Sequence, residues 1–290
     1  MHDELTKKDI AKIISEKSPS FSKGQKRIAE AIMNNYDKAA YMTAAKLGEL
    51  CHVSESTVVR FANELGYDGY PEMQHAIQEL VRTKLTPNQR IAITEMRIGN
   101  SDLLDAVLNA DRERIKFTLE HTDREAFNQA VDTLLAAKNI YIFGARSSST
   151  LAYFLNFNLE LIFDNVKLIR SSSSSEVFEQ ILPIDKGDVL FAISFPRYSK
   201  KILNAVNYAK GEGAEVIALT DSPLSPLCEH ANCVLTAQSD MASFVDSLVA
   251  PMSILNAILV ALTQRRRQAI AARFDKLERL WDEYDVYEKH

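Results

Sequence analysis

Two short stretches some fifty residues apart place hydroxyls beside a guanidinium. The first runs Gly144, Ala145, Arg146, Ser147, Ser148, Ser149, Thr150, and the second Ser194, Phe195, Pro196, Arg197, Tyr198, Ser199. Hydroxyls and backbone N–H groups at a helix N-terminus suit an anion, and an arginine adds a planar fork that matches phosphate or carboxylate. Each charge-assisted contact of this kind contributes about 1.5–3 kcal/mol. Serine is also a common helix cap, so any single one has a structural explanation; the two loops together point to a ligand. A third hydroxyl-rich run, Ser171 to Ser175 followed by Glu176, either lines the same crevice or simply caps the next helix.

A different chemistry is written in residues 44 to 65, AAKLGELCHVSESTVVRFANEL. Two helices crossing over a four-residue turn need a small residue where their backbones meet, and Gly48 stands there. Gly costs about 1 kcal/mol against Ala inside a helix, so an isolated helix gains nothing from it. The turn needs a residue tolerant of positive φ, and His52 occupies that place. Val53 plugs the turn, Ser54 falls at the N-cap of the second helix, and Thr57 lies three residues on, within reach of the first turn. Leu47, Leu50, Val53, Val58, Phe61 and Leu65 form one apolar stripe, which leaves Ser54, Ser56, Thr57 and Arg60 on the outer face. Such a face reads DNA, with Lys23, Lys26 and Arg27 on the preceding helix available for phosphates. Helical hairpins of this pattern also occur in proteins that never meet DNA. Charge does not decide between the two: residues 1–90 carry thirteen basic against twelve acidic residues, and residues 91–290 carry 21 against 27.

The elements that must hold these groups follow from periodicity. Helical spacing of Ile28, Ala29, Ile32 and Met33 predicts a helix from 22 to 34, after a capping run at Ser18, Pro19 and Ser20. Another runs from Pro71 to about Lys84. Residues 85–101, with Pro87, Asn88, Gly99 and Asn100 and weaker periodicity, read as a connector. Beyond it, β-rich runs at 140, 166, 188, 215 and 232 alternate with helical segments starting at Ser148, Ser174, Lys200 and Pro226. That alternation predicts βαβ units and a parallel sheet covered by helices on both faces. Helical periodicity then continues from Phe244 to the C-terminus, interrupted at Pro251, and its last run could serve as a dimer or domain contact. Ligands of such sheets bind at the carboxyl ends of the strands, where both arginine loops fall.

Composition sets the outer bounds. With 290 residues, 46% of them hydrophobic and 25% charged, the chain reads as an ordinary globular protein of two domains. No apolar run reaches the roughly 18 residues of a membrane span, and the N-terminal residues are charged where a secretory signal is apolar, so a cytoplasmic protein with no membrane partner is expected. Cys51, Cys228 and Cys233 have no CxxC spacing, and the six histidines show no metal spacing, so neither disulfide, metal nor cofactor is indicated.

The second half resembles a sugar isomerase (SIS) domain. The whole chain, including YMTAAKLGELCHVSESTVVRFANELGYDGYPE, is similar to the RpiR family of bacterial transcriptional regulators. The resemblance implies an all-α helix-turn-helix domain over residues 1–84, a linker at 85–101, and an α/β three-layer SIS domain with a five-stranded parallel sheet over 102–290. It also implies a homodimer or homotetramer that binds double-stranded operator DNA and carries a phosphorylated sugar or sugar acid as effector. Gly144, Ser147 and Ser148 fall where that family has its first phosphate loop, and Ser194 and Ser199 at the ends of its SxSGxT-like loop. Arg146 stands in place of a small residue, and Pro196 and Arg197 in place of the usual Ser and Gly. Arg146 and Arg197 therefore either converge on a ligand with an extra anionic group or pair with an interface carboxylate.

These features predict a regulator, in the usual case a repressor, of carbohydrate-metabolism genes, and not an enzyme. The alternative is a phosphosugar isomerase, which needs a carboxylate base and a ring-opening acid. Glu176, Glu179 and His230 are available, but their spacing singles none of them out.

Overall fold

A computed structural model describes residues 10–84, 86–99, 102–170 and 173–287. The chain divides between Leu103 and Leu104 into a helical unit, which Met241–Asp246 also joins, and an α/β unit.

The helical unit is built from α1 (Ile10–Lys17), α2 (Lys23–Asn34), α3 (Tyr36–Ala39), α4 (Ala44–Leu50), α5 (Glu55–Leu65), α6 (Tyr70–Lys84) and α7 (Pro87–Ile98). Ile28 and Ile32 of α2, Leu47 of α4, Val58 and Phe61 of α5 and Met73 of α6 close one core, with Phe21 set edge-on to Phe61 at 5.2 Å. The start of α2 is fixed by a reciprocal cap between Ser22 and Gln25, not by residues 18–20, which form a separate 3-10 turn. Met33 and Leu50, expected inside, are exposed. The stretch read as a connector contains α7, which Thr86 and Gln89 cap reciprocally with Pro87 in its first turn. Arg90 of α7 is buried, and its Nη1 donates to Asp246 Oδ1 at 2.9 Å.

The α/β unit contains α8 (Leu103–His121), α9 (Arg124–Ala136), β1 (Ile140–Gly144), α10 (Ser148–Glu160), β2 (Val166–Ile169), α11 (Ser174–Ile181), β3 (Val189–Ile193), α12 (Lys200–Gly211), β4 (Glu215–Thr220), β5 (Cys233–Thr236), α13 (Val249–Arg265) and α14 (Arg267–Glu283). All strand pairs are parallel, in the order β2-β1-β3-β4-β5. Every residue of β1 and β3 is buried, as expected of strands covered on both faces. On one face, Ile142, Phe191 and Ile217 pack against Leu151, Leu155 and Leu159 of α10 and Leu255 and Ile258 of α13. On the other, Phe143, Leu190 and Val216 meet Val177 and Ile181 of α11 and Ile202 and Val206 of α12. No helix begins at Pro226; that segment is a series of turns. Nor does one begin at Phe244: α13 starts at Val249, Pro251 lies within its first turn, and the helical run breaks at Arg266 instead.

Cys51 and Cys233 are buried and Cys228 half-buried. Burial pushes both buried thiols up, Cys51 against the opposing pull of the Arg27 guanidinium, and Cys233 to about 11. Because the thiolate is the reactive form, Cys228 alone is expected to react promptly with a thiol reagent on the native protein at pH 8. Three fast thiols in such a titration would contradict the packing described.

Candidate functional site

The strand order places β1 and β3 side by side, while the chain runs outward from β1 to β2 on one side and from β3 to β4 and β5 on the other. Between β1 and β3 the direction of winding reverses, and the loops leaving their carboxyl ends part to opposite faces. Such a reversal opens the crevice in which doubly wound sheets bind their ligands. Gly144 pairs in register with Ile193, so the loops 145–147 and 194–199 leave the sheet at one level, about 4.8 Å apart at the strand ends. The two loops singled out by composition are the two loops of this crevice.

The loop after β1 turns tightly. A Cβ on Gly144 would lie 2.3 Å from the carbonyl oxygen of Ser148 and 3.0 Å from Cβ of Ala152, so only glycine lets α10 start this close to the strand. Arg146 takes φ +56°, the left-handed region that costs a side-chain-bearing residue about 1–2 kcal/mol. Its side chain is exposed. Its carbonyl accepts from both the N–H (3.0 Å) and the hydroxyl (2.5 Å) of Ser149. Arg146→Gly is therefore expected to keep the fold and raise stability by about 0.5–1 kcal/mol, since it removes the strain at some entropic cost. Urea unfolding checks this, and a loss of more than 1 kcal/mol would show that the arginine itself holds the loop.

Ser147 and Ser199 occupy the N-cap positions of α10 and α12, yet neither side chain caps its helix. Ser148 is buried at the first turn of α10. Ser194 is buried too, and its Oγ accepts from the N–H of Ser199 at 3.3 Å, which ties the end of β3 to the start of α12. Arg197 is exposed between them. Composition missed a third wall: the Tyr198 hydroxyl donates to Asp221 Oδ1 at 2.9 Å, and the Thr220 hydroxyl donates to the same oxygen at 3.1 Å. These bonds fasten the loop after β3 to the end of β4. The signal was the polar Thr-Asp-Ser run that closes the apolar β4. In the serine run, Ser171 and Ser172 lie outside the described residues, and Ser173 caps α11 by accepting from the N–H of Glu176 at 3.2 Å. Glu176 and Glu179 are exposed on α11, and His230 sits in the turn that precedes β5.

The helical unit carries the second candidate surface. α4 and α5 flank the four-residue turn, His52 takes φ +51°, and a Cβ on Gly48 would lie 2.9 Å from the carbonyl oxygen of Val53, as the close crossing requires. Ser54 stands at the N-cap but accepts no backbone N–H. Its Oγ instead joins those of Ser56 (2.9 Å) and Thr57 (2.8 Å) in a hydroxyl cluster. Ser54, Ser56 and Arg60 are exposed and Thr57 half-buried, with Arg60 Nε lying back on the carbonyl of Ser56 at 3.3 Å. Lys23 and Lys26 are exposed near the N-terminal end of α2, where a Cβ on Gly24 would approach Val53 Cγ1 at 3.3 Å. Arg27 spends its guanidinium on the carbonyl of His52 at 3.2 Å and braces the turn rather than reaching outward.

Residues 8–84 match the helix-turn-helix domain of the rpiR family, and residues 133–261 match the SIS domain. The chain belongs to the RpiR family of helix-turn-helix transcriptional regulators, with an N-terminal DNA-binding domain and a C-terminal SIS domain. It is 28% identical to the HTH-type transcriptional regulator HexR of Escherichia coli strain K12 over 275 residues, which span 89% of this chain and 88% of HexR. The sugar isomerase domain of an RpiR transcription factor from Sphaerobacter thermophilus superposes with a TM-score of 0.58 at 25% identity, covering 60% of this chain and 97% of that one. The NanR protein of Vibrio vulnificus, solved in complex with ManNAc-6P, has the same fold over 95% of this chain and 98% of its own, with a TM-score of 0.59 at 20% identity. No helix among the described residues is long and apolar enough to cross a membrane.

Proposed function

We propose that this regulator is a cytoplasmic repressor of carbohydrate-metabolism genes whose operator affinity is set by a phosphorylated sugar or sugar acid bound between the loops after β1 and β3. The observation that carries the reading is the pair of uncapped N-cap hydroxyls, Ser147 and Ser199, at the β1/β3 switch point of a chain that also holds a helix-turn-helix. In this reading Gly144, Ser147, Ser148, Ser194 and Ser199 shape the phosphate cradle. Arg146 and Arg197 select a ligand with a second anionic group, such as a carboxylate. The phosphosugar found with NanR supports the chemical class. On the DNA side, Ser54, Ser56, Thr57 and Arg60 approach bases and phosphates in the major groove, and Lys23 and Lys26 contact phosphates. Two subunits present two such helices to a palindromic site, and the effector acts by favouring one arrangement of the pair.

A thermal-shift screen of sugar phosphates and phosphorylated sugar acids tests the ligand assignment. Binding to the native state at 100 times Kd adds about 2.7 kcal/mol of stability. At least one phosphorylated acid is expected to raise Tm in the wild type and to lose most of that effect in Arg146→Gly. A panel without any response would remove the assignment. Turnover of a sugar phosphate by the purified protein would instead favour the isomerase reading.

A further inference from the structure

A cavity of about 490 Å³ opens at the amino ends of β1 and β2, the end of the parallel sheet opposite the crevice. The five residues of β1, at about 3.3 Å each, separate the two, and the two share no residue. Small-molecule sites occupy about 300–1,000 Å³, so the volume suits a metabolite. The apolar part of the lining is Leu135, Ala137 and Phe163, and the polar part is Asp164, Asn165 and Arg266. These walls are pinned by the protein's own bonds. Asn165 Nδ2 donates to the carbonyls of Ala137, at 3.2 Å, and Lys138, which ties the segments entering β1 and β2 together. Arg273 of α14 donates to Asp164 Oδ1 at 2.6 Å and to the carbonyl of Glu160 at 2.9 Å. A ligand entering such a cavity has little left to order.

Arg266 is the group that these bonds leave without a counter-charge. It stands at the break between α13 and α14, where its N–H closes α13 on the carbonyl of Leu262 and its carbonyl accepts from the N–H of Ile270. Its neighbours are neutralised: Arg265 pairs with Asp132, and Arg273 with Asp164. Half-buried Arg266 meets no carboxylate among the described residues. Its Nη1 reaches the carbonyl of Ile162 at 3.3 Å, just beyond the usual range of about 2.7–3.2 Å, and its Cζ lies 4.8 Å from the centre of the Phe163 ring. The ring holds the cation without using an N–H, so most of its five donors are left for a ligand. Capping the end of α10 does not account for this arginine, since Arg273 already does so on Glu160 with the shorter bond.

The charge of the lining identifies the chemical class of the occupant. One guanidinium without a counter-charge balances one negative charge, and Asp164 in the same lining opposes a second. A carboxylate carries one charge and matches the planar fork with two parallel hydrogen bonds. Leu135, Ala137 and Phe163 then take a short hydrocarbon body out of water. We propose that this cavity is a second small-molecule site, which binds a small monocarboxylate with a short apolar body through Arg266. The site goes beyond the regulator reading and does not depend on the effector in the crevice.

Ligand-observed NMR titration of the full chain with butanoate and 3-methylbutanoate tests the proposal, with 3-methylbutanamide and inorganic phosphate as the uncharged and doubly charged controls. At least one acid is expected to bind saturably with a Kd of about 1 mM or below, and the amide not to bind. Arg266→Met keeps the length of the side chain without its charge and is expected to weaken the acid at least about 10-fold, the loss of one charge-assisted contact. Ala137→Leu leaves the arginine in place and fills the cavity; it is expected to abolish binding, and it decides the question by itself if Arg266→Met does not fold. Arg197→Ala is expected to bind the acid as the wild type does, which separates the cavity from the crevice. A wild type without saturable binding, a folded cavity variant that binds as the wild type does, or a loss of binding in Arg197→Ala would overturn the site. Displacement of the acid by equimolar phosphate would overturn the single-charge assignment.

Discussion

Gly144→Ala is expected to lower stability by about 3 kcal/mol, because overpacking of a rigid site costs 1–3 kcal/mol and here the new carbon meets backbone rather than a movable side chain. The added Cβ would sit 2.3 Å from one atom of the Ser148 carbonyl group and 2.7 Å from the other. Relief requires α10 to slide away from the end of β1, and α10 is held by Leu151, Leu155 and Leu159 in the core. For a unit of this size the loss corresponds to a fall in Tm of roughly 6–12 °C. The same displacement moves Ser147 and Ser148, so any response to ligand is lost with it. Gly211 is the internal control: it ends α12, and a Cβ there meets nothing within 4 Å. Gly211→Ala is expected to be neutral or to add up to about 1 kcal/mol. Differential scanning calorimetry of the two variants separates the cases; equal effects would mean that the crowding at Gly144 is not real.

Arg60→Ala is expected to weaken binding to the protein's own upstream DNA by about 30-fold or more. One good guanidinium contact contributes 1–3 kcal/mol, and a palindromic operator engages two copies, so at least about 2 kcal/mol is lost. The exposed side chain lies along α5 next to the hydroxyl cluster of Ser54, Ser56 and Thr57 and is free of the core, so stability is expected to hold. Salt sorts its role from that of its neighbours. Lys23→Ala or Lys26→Ala is expected to weaken binding to all sequences alike and to reduce the salt slope by about 1 per contact, as loss of a phosphate contact does. Arg60→Ala should in addition relax the preference for operator over unrelated DNA. Fluorescence anisotropy at several salt concentrations measures both quantities, and an unchanged affinity would remove Arg60 from the interface.

The parts of this fold that were legible in the sequence are those where local chemistry and tertiary burial agree. The strands β1, β3 and β4 are short apolar runs buried on both faces, and each was visible as such. The turn of the helix-turn-helix was legible because it needs particular backbone geometry at Gly48 and His52. Proline misled in three places for one reason, that its meaning depends on position within a helix. Pro87 and Pro251 lie in first turns, where a missing N–H costs nothing, so neither ends a helix. Pro226 lies among serines whose side chains capture backbone groups: Ser222 and Ser225 accept from the N–H groups of Leu224 and Leu227, and the segment stays in turns. Helix α7 was hidden further by Arg90, a charged residue at a buried position, which breaks the apolar period.

At the candidate site, the two loops were legible from composition, but the crevice between them was not. It exists because the winding reverses between β1 and β3, and strand order follows from long-range pairing that no local window contains. The roles within the loops are set by the geometry. Ser194 braces the start of α12, while Ser147 and Ser199 stand at N-cap positions where neither side chain caps its helix. Asp221, and the bond it accepts from Tyr198, were not legible because that bond connects residues 23 apart in sequence.

The proposed regulation rests on one linkage, between what the β1 and β3 loops hold and how tightly the helix-turn-helix grips DNA. The most direct measurement is the Kd for the upstream DNA with and without each phosphorylated sugar or sugar acid, for the wild type and for Arg197→Ala. At least one compound is expected to shift the wild-type Kd by about 10-fold, a coupling of about 1.4 kcal/mol, while Arg197→Ala binds DNA as the wild type does and loses the shift. If no such compound moves the wild-type Kd, or if Arg197→Ala responds as fully as the wild type, the crevice is not the sensor.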